Sequence, residues 1–215
     1  MLSIESAMRW PSLLGLSMRR YDVDRDRETC LAHYRLNQHG RFPPDVEKCY
    51  EQTLSQKDED HFVIEHEGRV VASCLITASN TGLYTFGYGL VHPDFQGKGI
   101  GTLMFYARLA MLPQPERLAH IFIYAVAASM PYYRRFGFEQ SDVWKDEQGD
   151  EHPAGSLWVS GPMIVAARDF LERVGLELPP PGPGGVCPPS SPEVQLVWDE
   201  NGQGRIEAIS PEAKP

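Results

Sequence analysis

Phe86-Gly-Tyr-Gly-Leu-Val-His-Pro-Asp-Phe-Gln-Gly-Lys-Gly-Ile-Gly-Thr-Leu-Met-Phe-Tyr-Ala-Arg-Leu-Ala-Met111 is the stretch from which the rest of the chain can be placed. Tyr84 to Val91 is rich in aromatic and branched residues, which favour a strand, and Pro93 ends any ladder because it has no N–H to donate. Gly97, Gly99 and Gly101 alternate with Lys98 and Ile100, so the backbone from Gln96 to Thr102 can curl with few Cβ clashes and turn several N–H groups to one side. Leu103, Tyr106, Ala107, Ala110 and Met111 then recur at three and four residues, one apolar helical face that Pro113 stops. The reading is a strand, a glycine turn and a helix start. Such a concavity at the positive end of a helix dipole suits a phosphate or pyrophosphate.

The spacing narrows the kind of loop. A P-loop needs G-x-x-x-x-G-K-[ST], and a dinucleotide fingerprint needs G-x-G-x-x-G with an acidic residue further on; neither is present. What stands here is Gln-x-x-Gly-x-Gly, as Gln96, Gly99 and Gly101. Further along comes Pro131-Tyr132-Tyr133-Arg134-Arg135-Phe136-Gly137-Phe138.

These two motifs, in this order, closely resemble the coenzyme A loop and the second signature of the GCN5-related N-acetyltransferase (GNAT) superfamily. The resemblance implies an α/β (α+β) fold: a mixed, mostly antiparallel central sheet of six to seven strands flanked by helices, with a splayed strand pair at the cofactor site. It implies acetyl-coenzyme A as co-substrate, with no metal, and a small-molecule or peptide amine as acceptor. By position, Leu90 and Val91 would meet the pantetheine and acetyl carbonyl, while N–H groups of Gln96, Gly97, Lys98, Gly99, Ile100, Gly101 and Thr102 would take the pyrophosphate. Tyr133 falls on the tyrosine that protonates the leaving sulfur in many members. Many members also carry an Asn after the buried strand, where Ala127, Ala128 and Ser129 stand here, which makes Ser129 a substitute candidate. A Glu often found on the central strand has no counterpart among Leu83 to Tyr88, so the general base is unassigned, with Glu65, His61, Tyr84 and Tyr88 as candidates. That gap keeps a second class of function in view, a coenzyme A-binding or regulatory module without turnover.

The chain taken in order agrees with this frame. Its 215 residues suit one medium domain with appendages, and a net charge of -9 argues against a nucleic-acid surface. Cys30, Cys49, Cys74 and Cys187 are scattered without a C-x-x-C, which signals neither zinc nor a disulfide framework and fits a reducing cytoplasm. No apolar run is long enough for a bilayer. Residues 1–15 read as a leader, and 16–176 as the GNAT-like domain. Within it, Leu16 to Val23 predicts a strand, Arg25 to Gln38 and Val46 to Leu54 helices, and His61 to Ala78 a hairpin turning at Glu67-Gly68. Gly87 and Gly89, sharing a face with Val91 by simple alternation, leave room for a narrow ligand arm; the resemblance implies a bulge there that splays two strands and admits the pantetheine arm, with a simple strand kink as the alternative reading. His120 to Ala127 predicts a buried strand parallel to its neighbour, and Ser129 a cap for the short helix that carries Tyr132 and Tyr133, of which only one is expected to face a site. His92 beside Pro93 reads as structural, and His61 and His66 lack partner ligands for a metal. Val143 to Lys145 and Ser156 to Ser160 read as a closing hairpin around an acidic loop, and Pro162 to Val174 as a helix. Residues 177–192 form a linker dense in Pro and Gly. Residues 193–215 are a hairpin or tail that docks on its own domain, pairs in a homodimer or is disordered.

Overall fold

The computed structural model describes residues 15–38, 44–56, 60–78, 83–113, 118–145, 149, 151–180, 194–198 and 204–208. In chain order the elements are β1 (Leu16–Arg20), α1 (Val23–Gln38), α2 (Pro44–Leu54), β2 (Asp60–His66), β3 (Arg69–Ala78), β4 (Leu83–Val91), α3 (Ile100–Met111), β5 (Ala119–Tyr124), α4 (Met130–Arg134), β6 (Glu139–Lys145), β7 (Glu151–Val159), α5 (Gly161–Val174), β8 (Val194–Trp198) and β9 (Gly204–Ala208). Short 3-10 turns at Pro93–Phe95 and Ala127–Ser129 precede α3 and α4. Seven strands form one sheet in the order β1-β2-β3-β4-β5-β7-β6. Its pairs are antiparallel except β4 with β5, the one place where a helical crossover returns the chain in the same direction. β8 and β9 pair with each other as an antiparallel hairpin.

Both sheet faces are covered. On one, Phe62, Ile64, Cys74, Ile76, Phe86 and Ile121 pack with Leu103 and Phe105 of α3 and Ile164 and Leu171 of α5. On the other, Val63, Val70 and Leu90 meet Cys30, Leu31 and Tyr34 of α1 and Tyr50 and Leu54 of α2. That double cover is why β2 is buried on consecutive residues from Asp60 to Glu65 instead of on alternate ones. α3 is likewise enclosed well beyond the single predicted stripe, because the sheet lies on one side and α5 on the other. Its C-terminal carbonyls are capped by α5, whose Arg168 donates to Ala110 O at 2.8 Å and Leu112 O at 3.0 Å.

Four expectations need correction. Val23 opens α1 instead of ending β1, since the Asp22 carboxylate accepts the N–H groups of Asp24 and Arg25 and so caps the helix. β5 is parallel to β4 as expected, but buried on one face only: His120 and Phe122 are half-buried and Tyr124 is exposed. Ser129 does not cap α4 through its side chain; its Oγ donates backwards to Val126 O at 2.9 Å. Both strands of the closing hairpin start earlier than predicted, at Glu139 and Glu151, and β7 is the one that pairs with β5. Residues 1–14 of the leader, the linker beyond Pro180 and the acidic-loop residues Asp146, Glu147 and Asp150 lie outside the described residues.

Candidate active site

The site begins with a fault in the sheet. β4 and β5 pair at Leu83↔His120, Tyr84↔Ile121 and Thr85↔Phe122, and from Phe86 onwards β4 has no partner on β5, which continues beside β7 as far as Tyr124. The strands part there. Across β4's other edge Ser73 faces Leu90 and Leu75 faces Gly87, so Cys74 alone stands opposite both Tyr88 and Gly89. This two-against-one count is a β-bulge, and Tyr88 carries it with φ of 42°, a conformation an aromatic residue rarely adopts. Its ring stacks on Tyr50 of α2, with centroids 4.4 Å apart, which holds the strained residue on the α1–α2 face.

The bulge corrects the predicted sidedness. Gly87 faces Leu75, whereas Gly89 is turned to the opposite face: a Cβ there would stand 3.2 Å from Met104 Cε, 3.4 Å from Arg108 Nη2 and 3.6 Å from the Tyr133 hydroxyl. Simple alternation would put the two glycines on one side; the extra residue puts them on two. Gly89 itself is exposed. An open notch without a side chain therefore sits between α3 and α4, at the point where the strands diverge.

From the notch the backbone runs into the loop. Gly97 and Gly99 have φ of 72° and 87°, the left-handed region that a side chain resists, and Gly99 is the N-cap of α3. The first bond of the helix is Leu103 N–H to Gly99 O at 3.0 Å, so the N–H groups of Ile100, Gly101 and Thr102 have no partner inside the helix and point along its axis. This is the cradle expected from the sequence, with one change. Gln96 is spent on holding it: its N–H donates to Pro93 O at 3.1 Å, and Nε2 donates to Val91 O at 3.0 Å and Asn37 Oδ1 at 2.7 Å. Asn37 Nδ2 in turn donates to Val91 O at 3.1 Å and to His33 O, which ties strand, loop and α1 together. Asn37 is a positioning residue that sequence reasoning missed, since nothing in a lone helical Asn marks a partner on a distant loop.

The other named residues sort by what their side chains do. Leu90 and Ile100 are buried in opposite cores, leaving only their backbone for a ligand. Val91 is partly buried, Thr102 is buried, and Lys98 lays its Nζ over the Phe95 ring at 5.1 Å. His92 acts structurally, its Nδ1 accepting the Asp94 N–H at 3.2 Å.

Tyr132 and Tyr133 both face the site, in contrast to the expectation of one. The Tyr133 hydroxyl reaches the notch at Gly89, and the Tyr132 hydroxyl lies against the first turn of α3, 3.4 Å from where a Gly101 Cβ would stand. The Tyr132 hydroxyl is buried with no hydrogen-bond partner among the described residues, and burial pushes its pKa well above the ordinary phenol value.

Of the candidate bases, Glu65 accepts bonds from both Arg19 and Arg25. His61 is stacked on Tyr21 at 4.4 Å, and burial lowers its pKa to about 4. Tyr84 lies in the core under the sheet. Among the described residues no group of His, Cys, Asp or Glu is placed to hold a metal ion.

Arg108 is the residue that periodicity gave least reason to mark. It projects from α3 under β4, is 0 % exposed, and has no hydrogen-bond partner among the described residues for Nε, Nη1 or Nη2. Its guanidinium carbon stands 4.6 Å from the centroid of the Phe86 ring. A cation inside the apolar run Met104 to Met111 was the available signal.

Comparison with known proteins agrees with this geometry. Residues 57–140 match the model of the acetyltransferase (GNAT) domain. Over that segment the chain is similar to the GNAT acetyltransferase domain, and its seven-stranded mixed sheet is the GNAT fold. Ard1 from Thermoplasma volcanium superimposes with a TM-score of 0.56 at 16% identity, over 68% of this chain and 99% of that one. An aminoglycoside 6'-N-acetyltransferase complexed with coenzyme A superimposes with a TM-score of 0.51 at 9% identity, over 66% of this chain and 95% of that one. No curated protein matches the chain significantly.

Proposed function

We propose that the protein is an acetyl-coenzyme A-dependent N-acetyltransferase that passes the acetyl group directly to a primary amine. The observation that carries this reading is the continuity of the parted strands, the exposed Gly89 notch and the α3 N-terminus, which together make a groove with an anion cradle at one end and a hydroxyl at the other. The coenzyme fits what is there: the N–H groups from Gly97 to Thr102 would hold its pyrophosphate, and the unpaired edge of β4 from Gly89 to Val91 would line its pantetheine arm. When bound it supplies an activated acyl carbon as a thioester. The chain's own part is to fix that carbon's orientation, keep a free amine aimed at it, and return a proton to the departing sulfur. Tyr133 is the donor, since its hydroxyl reaches the notch, 3.6 Å from where a Gly89 Cβ would stand.

The test is calorimetric titration of acetyl-coenzyme A into wild type and Gly99→Val, followed by thiol release against a panel of amines. With φ of 87° at Gly99, a β-branched residue there distorts the turn as well as crowding it, so binding should weaken by about a hundredfold or more while the far-ultraviolet signal is kept. Unchanged binding in the folded variant would place the coenzyme elsewhere. Tight binding with no thiol released to any amine would leave a binding module.

A further inference from the structure

Arg108 is the strongest anomaly in the described structure: a fully buried cation whose three guanidinium nitrogens lack hydrogen-bond partners, on the floor of the proposed groove. An unpaired buried charge costs several kcal/mol, and an apolar residue of similar volume would serve the core as well or better. The Phe86 ring compensates only part of that cost, since a cation–π contact contributes about 1–2 kcal/mol. Among the described residues no acidic side chain pairs with it; at the notch its Nη2 shares the space beside Gly89 with Met104 Cε and the hydroxyl of Tyr133. The cover on the groove side is thin. Gly89 is exposed, and Nη2 would stand 3.4 Å from a Cβ there, beside the flexible end of Met104 at 3.2 Å, so the guanidinium lies directly beneath the exposed backbone of Gly89.

We propose that Arg108 is the receptor for a carboxylate that a substrate carries into this notch, and that the carrier is the acyl donor, a short ω-carboxyacyl thioester such as a succinyl or malonyl one. The inference rests on the coenzyme reading above and widens the donor class beyond acetyl. The donor is favoured over the acceptor because Arg108 and Tyr133 reach the same point on Gly89, on the α3 face, where the thioester end of the coenzyme would lie. A guanidinium offers paired N–H donors matched to a carboxylate, and in a site screened from water such a pair discriminates strongly against a neutral isostere.

The experiment titrates the full chain by calorimetry with succinyl-coenzyme A, butyryl-coenzyme A and free coenzyme A, in wild type, Arg108→Met and Arg108→Lys. Succinyl-coenzyme A should bind wild type at least about tenfold more tightly than butyryl-coenzyme A, the ratio should fall to near one in Arg108→Met, and Arg108→Lys should keep part of it. A second arm titrates alanyl-alanine and its C-terminal amide in the presence of free coenzyme A; an Arg108-dependent preference for the free carboxylate there, with none between the thioesters, overturns the donor assignment in favour of the acceptor. Coenzyme binding with no carboxylate preference in either arm overturns the inference alone. Failure of free coenzyme A to bind overturns the acetyltransferase reading and this inference with it. Thermal unfolding without ligand is the control on folding: Arg108→Met should melt no lower than wild type, and a midpoint more than about 5 °C lower would make Arg108 a packing element and overturn the proposal.

Discussion

Tyr133 and Tyr132 are neighbours whose hydroxyls reach different glycines, Gly89 and Gly101. Tyr133 reaches the notch at Gly89, and Tyr132 leans on the first turn of α3. The assignment of Tyr133 as proton donor predicts that Tyr133→Phe leaves coenzyme affinity nearly unchanged and lowers turnover by about a hundredfold, the usual contribution of a general acid. Single-turnover thiol release measured beside calorimetry checks it, and a loss under about threefold with chemistry rate-limiting would assign the proton to water or another group. Tyr132→Phe should behave differently. It removes a buried hydroxyl without a partner, so turnover should hold and stability should not fall.

At the scale of elements, α1 is fastened to the sheet by charges and by neutral histidines, and the two respond to acid in different windows. Asp26 at the start of α1 is buried, which by itself would raise its pKa. The paired bonds from Arg19 at 2.6 and 2.7 Å and the Asp22 N–H at 2.8 Å outweigh that and hold it below the ordinary carboxylate value. His33 on α1 and His61 on β2 are pushed down from 6.5 to about 4, chiefly by burial, and for His33 also by the charges of His92 and Arg69.

A histidine whose folded pKa is depressed takes up its proton on unfolding, so stability is lost as pH falls from the unfolded value of 6.5 towards 4. The Asp26 contribution goes only below about pH 4. Denaturant unfolding should therefore show stability falling between pH 6.5 and 4 by up to about 3 kcal/mol for each histidine, at roughly 1.4 kcal/mol per pKa unit. His61→Leu should flatten that slope. An unchanged slope would mean that His61 is already charged in the folded state.

For the whole molecule, the net charge of -9 bears on which amines reach the site. Between β6 and β7 the sequence carries Asp146, Glu147 and Asp150, and β7 opens on Glu151, which pairs with Lys145 at 3.2 Å. We infer a cationic acceptor, drawn in by this potential. Catalytic efficiency should favour a polyamine over a matched neutral amine at low salt. The preference should fade as screening rises, and shrink when the four acids are changed to Asn or Gln. An acceptor preference indifferent to salt and to loop charge would exclude this inference.

The loop at Gln96 to Gly101, the strand before it, the helix after it and the short helix that carries Tyr133 were all legible in the residues, because each depends on local chemistry: a proline that stops a ladder, glycines at positive φ, apolar spacing, a motif. The parting of β4 from β5 was implied by the resemblance; the side on which Gly89 falls, the commitment of Gln96 to Val91 and Asn37, and the burial of Arg108 were not legible. Alternation along a strand is a local rule, and a bulge is set by what the neighbouring strand pairs with, so the turn of Gly89 towards α3 exists only once β3 and β4 are in register. An isolated Arg in a helix reads as a solvated face; only the sheet on one side of α3 and α5 on the other make it an enclosed charge.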